Sequence, residues 1–324
     1  MKDTMGTLYI DRKGYQIKLD GESIAFYLDG KREGIVPVRP LDRVIIAGNN
    51  TVDTSVLNKL AENGCNVIFL SGRGLQYRGI LTGRIHNNGI LRIKQYEKSL
   101  NKDFTVAIAK EIILEKIEKQ REFLGEAIKI RGIENLKATF CNVFNILANI
   151  AEGITAKCEA IESLRGYEGA ASNAYFSAFT DLFPASLGFE NRTRRPPTDP
   201  VNAMLSLCYT LIHYEAVREI QVAGLDPTIG FYHCFDYGRE SLACDLIEPF
   251  RPVVDRFVWE MFKEGKYTSK DFVQENGGVY LKKDARKEFY PAYEAWAETV
   301  RKDITRKIRN ISVRVMDGKN TLPE

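Results

Sequence analysis

The sequence lacks a long hydrophobic run, since no segment approaches the ~18 consecutive apolar residues that a membrane-spanning helix requires. The start of the chain also lacks the apolar segment of a secretion signal. We therefore expect a cytoplasmic protein with no membrane segment. The six cysteines include no CxxC pair, and in a long chain this usage is typical of a reducing compartment rather than of a disulfide framework.

Charge of one sign is lacking as well, because 46 Lys and Arg nearly balance 43 Asp and Glu and leave a net charge of +3. Any site for an anion must therefore come from a local basic cluster. The GxxxxGK[ST] pattern of a phosphate-binding loop is missing, which argues against a motor driven by nucleotide hydrolysis. The 44% of hydrophobic residues among 324 is enough for one large domain or two ordinary ones.

The distribution of glycine divides the chain, since 12 of the 25 glycines precede residue 95. Short segments between these glycines predict strands, and Thr54 to Glu62 has the leucine spacing of one short helix. From Asp103 onward the apolar residues recur at the helical period. Further helical patterns cover residues 134–152, 157–179, 201–222, 241–262 and 284–310.

These patterns predict an α+β protein of two domains. We expect an N-terminal β-rich, sandwich-like domain over residues 1–95 and a C-terminal mainly α-helical domain over residues 96–324, beginning with a linker at 96–104. The helix at 201 has clear start and stop signals. Asp199 is placed to cap it, Pro200 occupies its first position, and Gly224 follows its end.

Histidine is scarce, with three in the whole chain. His86 lies in a predicted turn and His213 in the middle of a helix, so an exposed loop residue and a packed or hydrogen-bonded residue are the simpler interpretations. His233 follows an apolar approach and precedes a segment that carries two acids. Of the three, His233 is therefore the candidate for chemistry.

Asp245 and Glu248 are three residues apart, so they share one face of the helix that Ser241 is predicted to cap. Pro249 and Pro252 remove the amides that would bond to the carbonyls of these two acids, and the helix should kink there. Unless water, metal or ligand satisfies the freed carbonyls, this arrangement is costly, which favours a functional pocket. An ordinary kinked helix with surface acids is the alternative.

Glu168 is surrounded by small residues in the segment GYEGAASNAYF. Two glycines in a helix cost stability, but they let another helix or a substrate backbone approach closely. A packing helix with a solvated glutamate is the alternative. Together, one imidazole and two or three carboxylates form a mainly oxygen site that suits Mg²⁺ or Mn²⁺. A zinc site using Cys234 and Cys244 lacks any recognised ligand spacing.

Basic residues accompany these candidate ligands. A proline-rich basic loop precedes the helix at 201, two further arginines flank the segments of His233 and Glu248, and a basic run lies near the end of the chain. Phosphates would suit the first two groups, which comprise Arg192, Arg194, Arg195, Arg239 and Arg251. A solvated charged face is the alternative for the terminal run.

Three segments resemble a known family in order and spacing: GYEGAASNAYF, RRPPTDPVNAMLSLCYTLI and GFYHCFDYGRESLACDLIEPFRPVVD. They are similar to the CRISPR adaptation integrases, the first numbered Cas protein family. The resemblance implies a metal-dependent DNA integrase and endonuclease with an N-terminal β domain used for dimerisation and a C-terminal helical domain that carries the active site. Glu168, His233 and Glu248 match the family's metal ligands, and Asp245 matches the nearby acid that supports them.

The reaction implied by the resemblance joins protospacer DNA to the CRISPR repeat array by attack of a 3′ hydroxyl on a repeat phosphodiester, with Mg²⁺ or Mn²⁺ as cofactor. The implied partners are DNA, a second copy of the chain in a homodimer, and the small second Cas protein. Two alternatives remain open. One is a standalone metal-dependent nuclease acting on branched or single-stranded DNA, and the other is a non-catalytic DNA-binding scaffold whose acids are structural.

Overall fold

The computed structural model describes residues 6–72, 75, 77–83, 88–131, 134–193, 196–233 and 237–317. The chain divides into two compact units. The first contains Met1–Asn87 together with Lys283–Ala295, and the second contains Asn88–Lys282 together with Trp296–Glu324. None of the helices in the described ranges is long and apolar enough to cross a membrane.

The first unit is β-rich. Its elements are β1 (Gly6–Ile10), β2 (Gln16–Asp20), β3 (Ser23–Leu28), β4 (Lys31–Pro37), β5 (Leu41–Ala47), β6 (Thr51–Val52), α1 (Thr54–Glu62), β7 (Asn66–Leu70) and β8 (Tyr77–Leu81). The strands form two four-stranded sheets, β1-β5-β7-β8 and β4-β3-β2-β6. One apolar cluster draws on both sheets and α1, with Ile17, Val44 and Leu60 each at 1% exposure. The predicted β-rich, sandwich-like character is therefore confirmed.

The turn between β3 and β4 shows why a two-residue Asp-Gly signal makes a hairpin. Asp29 and Gly30 both adopt positive φ, at 49° and 77°, and β3 pairs antiparallel with β4 around them. Paired positive φ values give the backbone twist that matches the twist of the two strands.

Part of a C-terminal helix also belongs to the first unit, through the segment Lys283–Ala295. The ring of Tyr290 stacks on that of Tyr9 with centroids 4.0 Å apart. The Arg286 Nη1 atom lies 3.1 Å from Asp11 Oδ2. Because these contacts join residues far apart in the chain, the predicted 1–95 segment does not contain the whole unit.

The second unit is almost entirely helical. It contains α2 (Gly89–Ser99), α3 (Lys102–Arg131), α4 (Glu134–Lys157), α5 (Ile161–Thr180), α6 (Pro200–Val222), α7 (Ser241–Ile247), α8 (Arg251–Lys263), a hairpin of β9 (Phe272–Glu275) and β10 (Gly278–Leu281), and the later part of α9 (Lys283–Asp317). The α+β class is confirmed. The predicted boundary at residue 95 falls inside α2, and the predicted linker at 96–104 includes the end of α2 and the start of α3.

The cap predicted for α6 is confirmed, since the Asp199 carboxylate accepts a hydrogen bond from the amide of Asn202 at 2.8 Å and Pro200 is the first helical residue. The cap predicted for α7 was wrong. Glu240 occupies the N-cap position and Ser241 is already helical.

The predicted helix over 241–262 is interrupted where its prolines lie. Helix α7 ends at Ile247, a 3₁₀ turn covers Glu248–Phe250, and α8 begins at Arg251. The amide of Glu248 bonds to the carbonyl of Asp245, and the amide of Arg251 bonds to the carbonyl of Glu248. The expectation that water, metal or ligand must satisfy these carbonyls was therefore wrong, because the tighter turn supplies amides three residues on.

Candidate active site

Two carboxylates from distant parts of the second unit meet at one lysine. Glu168 lies on α5, Glu248 in the turn between α7 and α8, and Lys116 on α3. The Lys116 Nζ atom is 2.5 Å from Glu168 Oε1 and 2.7 Å from Glu248 Oε2. The two oxygens thus share a single cation, although the residues that carry them are 80 positions apart in the sequence.

Helix periodicity explains how Glu168 reaches this position. Leu164 and Tyr175 lie at 0% exposure on the face of α5 that enters the core. Glu168 is four residues after Leu164, so its side chain emerges at the edge of the buried face. Ser172, one further turn along, donates its hydroxyl to Glu168 Oε1 at 2.9 Å. The carboxylate is therefore held from its own helix as well as by Lys116.

Lys116 was not singled out from the sequence, although α3 carries a signal for it. Ile108 and Ile112 begin a series at every fourth residue, and Leu124 continues it, with Lys116 and Gln120 between them. Lys116 is only 6% exposed. A lysine on the apolar face of a helix needs a buried acidic partner, and this rule would have identified the position.

Neighbouring opposite charges set the ionisation states of Glu248 and Lys116. Burial by itself would raise the pKa of Glu248, but the charges of Arg251 and Lys116 outweigh it and hold that pKa well below its ordinary value. Arg251 Nε lies 2.8 Å from Glu248 Oε1. Burial likewise acts to lower the pKa of Lys116, and the two carboxylates outweigh it, so the pKa is raised. Lys116 is therefore an ammonium ion at neutral pH.

His233 is oriented by Asp245, which is completely buried. Asp245 Oδ1 lies 2.7 Å from His233 Nδ1 and accepts the backbone amide of His233 at 2.9 Å. Asp245 Oδ2 accepts the amides of Phe231 and Tyr232 at 2.6 and 3.0 Å. Because an ionised carboxylate only accepts, Nδ1 must carry the ring proton in this arrangement, which leaves Nε2 as an acceptor or metal ligand.

Gly230 makes the approach of Asp245 possible. A Cβ atom at this position would lie 2.6 Å from Asp245 Oδ2 and 2.8 Å from the carbonyl carbon of Ser241. No larger residue can occupy this position without moving the start of α7. The glycine that precedes the Phe-Tyr-His segment is therefore required by packing.

The imidazole of His233 and the two glutamates belong to the same electrostatic environment. Electrostatic interaction with the His233 side chain is among the influences that lower the pKa of Glu248. Burial first, and then the charges of Glu168 and Glu248, raise the pKa of Tyr232. The structure thus brings Glu168, His233, Asp245 and Glu248 to one region of the second unit.

A buried network lies behind Glu248. The guanidinium groups of Arg251 and Arg192 lie 4.8 and 5.4 Å from the ring centroid of Tyr209. The hydroxyls of Tyr209 and Tyr175 both bond to Asp255. Burial raises the pKa of Asp255 to about 6, against the lowering effect of these hydroxyls. The sequence analysis did not identify this support, which links Arg251 to the core.

The arginines predicted to contact DNA are in different situations. Arg192 also bonds to Asn202 Oδ1 at 2.7 Å, and Arg251 to Glu248, so both have partners within the chain. Arg239 is exposed. Arg194 and Arg195 lie outside the described residues, as do His86 and Cys234. A DNA-binding role for these arginines stays a prediction.

The donor set fits a hard divalent cation by its chemistry, since it offers two carboxylates that already share a cation and one imidazole. Within the described part of the chain, no three or more His, Cys, Asp and Glu side chains are arranged to surround a metal ion. The ammonium of Lys116 stands between the two carboxylates instead.

Comparisons with known proteins agree with one another. A family model described as CRISPR associated protein Cas1 matches residues 8–295. The chain is 52% identical over 98% of its length to a curated CRISPR-associated endonuclease Cas1 of Thermodesulfovibrio yellowstonii, and the match covers 99% of that protein.

Two solved structures share the fold. A casposase bound to integration product superposes with a TM-score of 0.85 at 21% identity, over 98% of this chain and 92% of that one. A Cas6-RT-Cas1–Cas2 complex contains a chain that matches with a TM-score of 0.82 at 24% identity, over 98% of this chain and 36% of the other. At these identities the similarity establishes architecture.

Proposed function

This chain belongs to the Cas1 family of CRISPR-associated proteins, and from that membership and the site geometry we propose that it is a divalent-metal-dependent DNA integrase and endonuclease of CRISPR adaptation. The observation that carries the proposal is the meeting of Glu168 and Glu248 at one cation position, with His233 in the same electrostatic environment. The curated relative is itself named an endonuclease, and the casposase structure is described as bound to integration product.

The proposed reaction is a transesterification. The 3′ hydroxyl of protospacer DNA loses its proton and forms a bond to phosphorus in a repeat strand, while the bond from that phosphorus to the departing sugar oxygen breaks and the oxygen takes up a proton. One phosphodiester replaces another, so no nucleotide hydrolysis is needed. A bound Mg²⁺ or Mn²⁺ would neutralise the developing charge and favour deprotonation of the attacking hydroxyl.

The residues have separate parts in this proposal. Glu168, Glu248 and the Nε2 atom of His233 would hold the ion. Asp245 fixes the ring orientation and the protonated nitrogen of His233, and Arg251 holds Glu248 through its Nε atom. Mutation of such supporting groups typically costs 10- to 100-fold in metal affinity or activity.

The proposed DNA contacts and partners follow the family. Arg192, Arg194, Arg195, Arg239 and Arg251 are proposed to lie along the path of DNA phosphates. We also propose a homodimer and a complex with the small second Cas protein, supported by the solved structure described as a Cas1–Cas2 complex. Two-fold pairing suits a reaction that joins two ends to one repeat.

The proposal predicts that a Glu168→Ala, His233→Ala double variant loses strand transfer. A 3′-OH oligonucleotide is incubated with supercoiled repeat DNA, Mg²⁺ or Mn²⁺ and the purified chain, with and without the second Cas protein. We expect joining to fall by a factor on the order of 10² or more, because the ion loses two of its ligands. EDTA should abolish joining by the unaltered protein.

A matched control replaces one glutamate and one histidine elsewhere. Glu162 is exposed on the same helix as Glu168, and His213 bonds to Glu240. The Glu162→Ala, His213→Ala variant should join DNA at the normal rate. Undiminished joining by the Glu168, His233 variant would contradict the proposal.

The products distinguish the other candidate functions. Water attacking the same phosphodiester would give cleaved fragments and no joined species, which would favour a standalone nuclease. DNA binding that falls steeply with salt but ignores EDTA, with no product of either kind, would favour a scaffold.

A further inference from the structure

Lys116 occupies the position that the metal proposal assigns to a divalent ion. Its Nζ atom lies 2.5 Å from Glu168 Oε1 and 2.7 Å from Glu248 Oε2. The 2.7 Å contact has the length of a charge-assisted hydrogen bond, and the 2.5 Å contact is shorter still. A divalent ion bridging the same two oxygens would need nearly the same point in space, and a positive group already stands there.

The ammonium and the ion cannot share this place. Lys116 is 6% exposed and Glu248 5%, so solvent screens little of the repulsion between the two positive charges. The lysine stem has four rotatable carbons and carries a compact charge, so its head can leave while its backbone remains in α3. Glu168, by contrast, keeps a second partner in the hydroxyl of Ser172, and Glu248 keeps Arg251.

We propose that Lys116 is an internal counter-cation that holds Glu168 and Glu248 together in the metal-free protein and is exchanged for the divalent ion when that ion binds. This inference rests on the proposed function, because it takes the two glutamates as metal ligands. It gives Lys116 two opposed effects. The residue stabilises the empty site, since Glu168 and the buried Glu248 would repel each other without the ammonium between them, and it weakens metal binding by competing for the same oxygens.

The decisive variant is Lys116→Met, which keeps most of the length of the side chain and removes its charge. Mn²⁺ binding to the full chain is measured by electron paramagnetic resonance and by calorimetry at fixed salt and pH. We expect the variant to bind Mn²⁺ at least about tenfold more tightly than the unaltered protein, because a nearby unit charge typically changes a binding equilibrium by one to three powers of ten. The metal-free form of the variant should melt at a lower temperature than the unaltered protein. Added Mn²⁺ should raise the melting temperature of the variant by more than that of the unaltered protein.

Two further variants control for charge and position. Lys116→Arg keeps a cation between the acids and should bind Mn²⁺ no more tightly than the unaltered protein. Lys119→Met removes a lysine one turn along the same helix, where it bonds to Glu115 and lies over the ring of Phe250. This change should leave Mn²⁺ affinity within twofold of normal. Tighter binding by the Lys119 variant would show that loss of any nearby charge suffices, and would overturn the assignment to Lys116.

A further measurement follows the Lys116 ammonium itself in the unaltered protein. In a sample with ¹⁵N-labelled lysine, the Lys116 ammonium should give a slowly exchanging signal in EDTA, identified by its absence from the Lys116→Arg protein. Saturating Mg²⁺ should shift or abolish that signal. A signal that stays unchanged at saturation would mean that the ammonium remains between the acids, and the exchange would be refuted.

The outcomes also separate this inference from the function on which it rests. If neither the unaltered protein nor the Lys116→Met variant binds Mn²⁺ or Mg²⁺, the metal-dependent function itself fails. If both bind with equal affinity, the function stands and the competition by Lys116 is wrong.

Discussion

Asp245 is the residue on which the position of His233 depends. It accepts three consecutive backbone amides and the ring nitrogen of His233. A completely buried carboxylate with four donors around it acts as an anchor for the turn and as the partner that selects the ring proton. Asp245 therefore acts as a positioning residue, because its described contacts are with backbone amides and with the imidazole of His233.

We predict that Asp245→Asn lowers strand transfer 10- to 100-fold, the usual effect of losing a partner behind a metal ligand. The amide keeps the shape of the side chain, but its NH₂ group then faces backbone donors, so unfolding should become easier by about 1–3 kcal/mol. Nitrogen NMR of the histidine rings provides the specific test. The chain has three histidines, and the His233 ring should change its protonated nitrogen.

Asp226→Asn is the matched control for this change. Asp226 also accepts a backbone amide, that of Thr228 at 2.8 Å, in the same loop region. Its replacement should leave the His233 ring signals and joining unchanged. Asp245→Asn could destabilise the protein while the His233 nitrogens keep their chemical shifts. In that case Asp245 anchors the turn but does not determine which nitrogen of His233 is protonated.

Single residues also show what the sequence could and could not reveal. Glu168, His233 and Glu248 stand out because their motifs resemble a family, yet no local pattern says that segments 80 positions apart converge. Lys116 belongs to no such motif. Its only signal is a charged residue at an apolar helical position, and naming its partners required knowledge of which helices pack together.

At the level of elements, helix α5 presents an open surface beside Glu168. A Cβ atom at Gly169 or Gly166 would meet no atom within 4 Å beyond the neighbouring backbone of the helix, among the residues that the structure describes. From the sequence, these glycines are predicted to let another helix or a substrate backbone approach closely. The space beside Gly169, which directly follows Glu168, is therefore open to the proposed DNA substrate.

We predict that Gly169→Ala stabilises the protein by about 0.5–1 kcal/mol yet weakens DNA binding and joining. The gain in stability comes from the lower conformational freedom of alanine in the unfolded chain. The loss in binding should be about tenfold, since forcing a methyl group against a closely packed neighbour costs about 1–3 kcal/mol. Urea unfolding and DNA titration measure the two effects separately.

Gly166→Ala supplies the comparison within the same helix. At 100° per residue, Gly166 points about 160° away from Glu168, whereas Gly169 lies about 100° from it. The Gly166 variant should gain similar stability and bind DNA normally. Equal weakening by both variants would indicate that DNA does not follow the Glu168 side of α5.

The break between α7 and α8 marks the limit of element prediction. Pro249 and Pro252 correctly predict an interruption, because proline cannot donate to the helix. The way in which the freed carbonyls are satisfied does not follow from the pattern. The same two prolines are compatible with a 3₁₀ turn and with a kink whose free carbonyls bind a ligand. Only the path of the backbone distinguishes the two.

For the molecule as a whole, the main difference from the sequence prediction is that the first unit includes a segment from near the end of the chain. Local periodicity predicts its strands and α1 well, because each depends on neighbouring residues. It cannot predict that Lys283–Ala295 returns to the same unit, since that contact is set by side chains that lie far apart in the sequence, such as Tyr9 and Tyr290. A dimerisation role for this unit stays a prediction.

The return of this segment makes a prediction about local stability in the full chain. The Arg286→Ala, Tyr290→Ala variant loses the ion pair to Asp11 and the ring stacked on Tyr9. We expect a loss of about 3 kcal/mol in the stability of the first unit, as is typical for removing a largely buried aromatic side chain. Amide hydrogen exchange should become faster across β1 and β5, while α3 and α5 keep their protection.

Lys287→Ala tests whether the effect is specific to the buried face of α9. Lys287 is exposed and pairs with Asp284 one turn earlier on the same helix, so its removal should change exchange in neither unit. If the segment belongs to the first unit, the Arg286, Tyr290 variant must speed hydrogen exchange in that unit and leave exchange in the second unit unchanged. If the Arg286, Tyr290 variant lost protection equally in β1 and in α5, the segment would be stabilising the chain as one cooperative body, and its assignment to the first unit would have no energetic meaning.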